Sequence, residues 1–142
     1  MREIKFRGSP IEDYDDLNWF EGGIYINKDD RLAYINTDYS GVVPVHWDSV
    51  GQYTGLKDSK GNEIYEGDII LINYDEAYSE HASYIGQVKY RSDDNYPAFD
   101  LIPWIDCEMN ALSWLKSESD PSVKSYEVIG NIYETPELLT EK

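Results

Sequence analysis

The strongest constraint on this chain is its punctuation. Gly, Pro, Asn or Asp interrupts every apolar pattern within about ten residues, and between interruptions apolar and polar residues mostly alternate. Alternation with a period of two puts successive side chains on opposite faces of an extended strand. Short strands recurring roughly every 8–12 residues favour a small β-barrel or sandwich over a layered α/β fold.

The segments bear this out in turn. "REIKFRG" sets Ile4 and Phe6 against Glu3, Lys5 and Arg7 and reads as a half-buried strand, while residues 8–22, with Gly8, Pro10 and an acidic cluster, read as a loop. "GGIYINKDDRLAYINTDYSG" predicts a hairpin: Ile24 and Ile26 share a face, Asn27–Asp30 supply the turn, and Leu32 and Tyr34 return. Pro44 in "VVPVHW" cannot donate to a ladder, so it belongs on an edge or at a bulge. Downstream, "IILINY", "YIGQVKYRS" and "AFDLIPW" read as strands, separated by a long polar loop at Asp75–Ser83. The best helix is Asp106–Lys116, where Ile105, Met109, Leu112 and Leu115 recur at roughly helical spacing and Asp106 can cap. "SYEVIGNIYETPELL" predicts a last strand, a kink at Gly130 and a terminal turn at Pro136–Leu139. The expected fold is therefore mostly β. Residues 1–50 form an N-terminal β-hairpin region, with the boundary near Ser49–Gly51. Residues 51–142 form a partly open, SH3-like β-barrel with a short helix near 106–116.

Charge narrows the partners. The 28 acidic residues outnumber the 12 Lys and Arg, for a net charge of −16. Such a field repels phosphates and anionic membranes, so nucleic acid is an unfavourable partner and a membrane is not expected. It permits a basic protein partner. Cys107 has no second cysteine to pair with, which suits a reducing compartment. No apolar run approaches the roughly 20 residues of a membrane span, and "MREIKFRG" lacks the apolar core of a secretory signal. The expected location is the cytoplasm.

A scan for chemistry finds no phosphate-binding glycine loop and no nucleophile elbow. His46 and His81 are far apart in sequence and lack the spacing of a zinc site. Asp58, Lys60 and Asn62 copy the first ligand positions of a calcium loop. However, Lys60 places a cation where an anion belongs, and Ile69 stands where a bidentate Glu is needed. Asp58 and Gly61 fit a tight turn better, with Gly61 supplying a positive φ. Gly55 and Gly67 are read as turn residues likewise. Glu66 and Asp68, flanking Gly67, are the sharpest carboxylate pair. They suit acid–base work only if desolvated together, and the simpler reading is that Asp68 accepts backbone N–H bonds and closes the turn. Cys107 lies between Asp106 and Glu108, which disfavour a thiolate. Trp19, Phe20, Trp47, Trp104 and Trp114, with 13 tyrosines, serve either as packing or as a binding face. The candidate binding residues are Glu66, Asp68, Trp47 and Trp104. No catalytic residue, metal or cofactor is expected.

Three segments taken together carry a resemblance: "MREIKFRG" at the start, "QYTGLKDSKGNEIYEGDII" in the middle and "YEVIGNIYETPELL" at the end. In this order and spacing the chain resembles the YopX family, small proteins of uncharacterised function carried mainly by bacteriophages and prophages. It departs at Gly8-Ser9, where family members often have an Ala-Trp type pair. The resemblance implies a β-rich fold and no accepted catalytic residues to carry over. The expectation is a phage-type accessory protein in the host cytoplasm, a non-enzymatic β module that binds another protein or itself. The alternative is an acidic DNA mimic that inhibits a DNA-binding protein.

Overall fold

A computed structural model of the protein describes residues 3–14, 17–75, 83–90, 99–102 and 123–139. The chain divides into two compact units, Met1–Gly55 and Leu56–Lys142. The described residues are mostly β, in antiparallel sheets. The helix expected at Asp106–Lys116 and most of the polar loop at Asp75–Ser83 lie outside the described residues.

The first unit contains β1 (Phe6–Gly8), β2 (Phe20–Asn27), β3 (Leu32–Asn36), β4 (Val42–Val45), a 3-10 turn at Trp47–Ser49, and the start of β5 (Gly51–Lys57), which runs across the boundary. The strand order is β4-β3-β2-β1-β5. The hairpin turns where the Asn and Asp residues require it: the Asn27 side chain accepts the Asp30 N–H at 3.2 Å and fixes the loop between β2 and β3. Its register places Ile24 opposite Ile35 and Ile26 opposite Ala33, and β4 adds Val43 and Val45 to the same rows. Ala33, Ile35, Val43 and Val45 are buried with Phe20, and Phe6, Tyr14, Ile24, Trp47 and Val50 pack around them.

The outer edge of β4 is covered by the chain that follows β1. Ile11 N–H donates to the Pro44 carbonyl at 3.0 Å, His46 N–H donates to the Ser9 carbonyl at 2.8 Å, and Pro10 bridges to Val45. Pro44 is tolerated because its missing N–H falls on this outer edge and not in the β3 ladder. One short segment thus pairs with β2 through β1 and with β4 through Ser9–Ile11, so the sheet curls over its core. Gly8 stands at the tightest point. A Cβ there would lie 2.6 Å from Val45 Cγ2 and under 3 Å from its Cβ and Cγ1.

The second unit begins at the end of β5, turns at Asp58–Asn62 and continues as β6 (Glu63–Tyr65), β7 (Asp68–Tyr74), β8 (Ser83–Tyr90), β9 (Phe99–Ile102), β10 (Val123–Asn131) and a 3-10 turn at Pro136–Leu139. Its four-stranded sheet has the order β10-β7-β8-β9. Strand β7 is central, and Ile69, Ile70 and Ile72 are fully buried. The core gathers Ile64, Ile70, Ile72, Val88 and Leu101. The expected kink at Gly130 is a bulge inside β10: Val128 pairs with Ile70 while Gly130 pairs with Ile69.

For residues 51–142 the expectation was a partly open, SH3-like barrel. The described strands form two antiparallel sheets and no closed barrel. A physical reason lies at β10. One side pairs with β7, while backbone groups of Tyr126 and Val128 bond to the Asp58–Ser59 turn, so that turn occupies positions a closing strand would need.

Gly8→Ala is expected to destabilise the protein by about 1–3 kcal/mol in urea denaturation, because the β-branched Val45 cannot swing clear. Gly23→Ala, where an added Cβ meets nothing within 4 Å, is expected to stay within about 0.5 kcal/mol of wild type.

Candidate functional site

The motif-rich centre is built around one carboxylate. Asp58 is 6% exposed. Its Oδ1 accepts the N–H groups of Lys60 at 2.9 Å and Asn62 at 2.8 Å. Its Oδ2 accepts the Val128 N–H at 2.9 Å and the Asn62 side-chain amide at 3.3 Å. Burial opposes the charge, but the Val128 and Asn62 N–H groups, the Asn62 amide and the Lys60 N–H outweigh it and hold the carboxyl below its ordinary value. Ser59 continues the attachment: its N–H donates to the Tyr126 carbonyl at 2.9 Å, and its Oγ accepts the Tyr126 N–H at 2.9 Å. Lys60 pairs with Glu127 at 3.2 Å. Burial, then the Asp58 charge, pushes the Tyr126 phenol above its usual pKa. The apparent calcium register is thus a hairpin whose carboxylate faces N–H donors.

The second turn works alike. Asp68 is 1% exposed, and its Oδ2 accepts the Tyr65 N–H at 2.8 Å. Gly67, at φ 95°, donates its N–H to the Val88 carbonyl and accepts the Ile132 N–H, both at 2.9 Å. Glu66 beside it is half-buried. Asn131, opposite Asp68 in the β7–β10 register, accepts the Tyr133 and Glu134 N–H groups at 3.0 and 2.8 Å. Glu66 and Asp68 therefore sit where the turn joins β8 and the end of β10. Asp68 Oδ2 has the geometry of a turn-closing acceptor. Among the described residues no group of three or more His, Cys, Asp or Glu could hold a metal ion. No helix among them is long and apolar enough to cross a membrane.

Trp47 belongs to the first unit, half-buried in the 3-10 turn. Arg31 lies over its ring at 5.5 Å and pairs with Asp48 at 3.2 Å. Arg31 has φ 54°, a left-handed backbone that is costly for a side-chain-bearing residue. A cleft of about 210 Å³ beside it is lined by Ile26, Ala33, Trp47 and Val50. Trp104 lies outside the described residues.

A larger feature occupies the opposite face of the same sheet. The β2–β3 register that buries Ile35 places Tyr25 opposite Tyr34, and Gly23 opposite Asn36. Their rings lie 6.1 Å apart at 42°. With Ile24 and Val42 these residues line an open, largely apolar cleft of about 390 Å³. Tyr25 is 66% exposed and Val42 63%. Tyr39, fully exposed, tops the adjoining β3–β4 turn, which Thr37 braces by donating its hydroxyl to the Gly41 carbonyl at 2.7 Å and accepting the Ser40 N–H. Sequence reasoning named a general aromatic face but not this pair. The signal was available: a loop closing Asn27 against Leu32 sets Tyr25 against Tyr34.

A protein-family model described as "YopX protein" matches residues 5–140. Among solved structures, the chain is similar to the crystal structure of protein EF1440 from Enterococcus faecalis. The two share 23% identity over 98% of this chain and 99% of that one, with a TM-score of 0.49. No curated protein matches the sequence.

Asp58→Asn is expected to cost about 2–4 kcal/mol at pH 7, since however the amide is turned at least one backbone N–H faces another donor. The lowered carboxyl pKa makes this contribution fully present above the unfolded value near 3.8 and lost as pH falls through the folded value. Urea denaturation should therefore show the wild-type advantage shrinking below about pH 4. A difference that stays constant to pH 2 would assign the loss to shape and not to charge.

Proposed function

The chain belongs to the YopX protein family, and we propose that it is a phage-type accessory protein of the host cytoplasm, a non-enzymatic β module that binds another protein. The tyrosine cleft on the outer face of β2, β3 and β4 is the binding surface. The observation that carries this reading is the cross-strand Tyr25–Tyr34 pair, held on a rigid sheet beside an exposed Val42 and a braced turn bearing Tyr39. Tyrosine supplies large contact area with few rotatable bonds, and Ser, Gly and Asn around it supply adaptable hydrogen bonding, as in protein-binding loops generally. An exposed aromatic and aliphatic surface of this kind adds only the roughly 0.2–1 kcal/mol of a cross-strand aromatic pair to the isolated chain and marks an interaction surface.

The motif residues support the same division. Asp58 and Asp68 both accept backbone N–H groups that shape turns. An acid–base role would need a desolvated carboxylate aimed at a substrate, not at its own turn.

The test is affinity capture from cells expressing the wild-type chain or a Tyr25→Ser/Tyr34→Ser double variant, with light scattering to follow self-association. Wild type is expected to retain a specific partner, and the double variant to lose it by about 30-fold or more while still unfolding cooperatively, with a melting temperature only a few degrees lower. A strictly monomeric wild type that retains nothing, or equal retention by both proteins, contradicts the proposal. Salt-sensitive competition with DNA for a basic protein, insensitive to both substitutions, would favour the acidic-mimic reading instead.

A further inference from the structure

We draw no further inference here: the strongest candidate, the apolar cleft lined by Ile26, Ala33, Trp47 and Val50 beside the Arg31–Asp48 pair in the first unit, carries nothing, because nothing in the structure shows what covers it.

Discussion

Both oxygens of Asp58 are engaged by backbone N–H groups, and one of those belongs to Val128, 70 residues further along the chain. This single buried carboxylate does two jobs. It closes the turn between β5 and β6 through Lys60 and Asn62, and it fastens that turn onto β10. The bond also covers part of a strand edge that would otherwise present unpaired backbone groups. The charge survives burial because four donors converge on it. The register of β10 on β7, with its bulge before Gly130, is held from one side by the ladder and from the other by Asp58 and Ser59.

The family motifs therefore mark architecture. The middle and C-terminal segments meet where Asp58 bonds to Val128, Ser59 to Tyr126, Lys60 to Glu127 and Gly67 to Ile132, and along the β7–β10 ladder from Asp68 to Ile70. The N-terminal segment meets the start of the middle one in the first unit, where Phe6 pairs with Gln52 and Tyr53 donates its N–H to the Lys5 carbonyl at 2.9 Å. A segment constrained by such contacts has little freedom to evolve toward a ligand. The tyrosine face of β2 and β3 carries no such duty, since the core depends on the alternate residues Ile24, Ile35 and Val43. That separation is the physical basis for assigning binding to Tyr25 and Tyr34.

Much of the fold was legible because it rests on local rules. Alternation at Ile24 and Ile26, the Asn27–Asp30 turn, the edge position of Pro44 and the terminal turn at Pro136–Leu139 all follow from neighbours in sequence. What was not legible depends on distant chain. Gly8 must be small because Val45 presses on it, and nothing near Gly8 says so. The turn at Asp58 was readable, but its tie to Val128 was not, and that tie is one reason the described strands of the second unit do not close into a barrel. The candidate site was missed for a related reason: Tyr25 and Tyr34 are ordinary residues until the hairpin register sets them face to face.

Amide hydrogen exchange on the Asp58→Asn variant tests the central constraint most directly. The protection of the Val128 and Tyr126 amides should fall together with that of Asn62, while amides of the β2–β3 hairpin keep wild-type protection. Unchanged protection at Val128 would contradict the account, because β10 would then be held by its ladder with β7 alone.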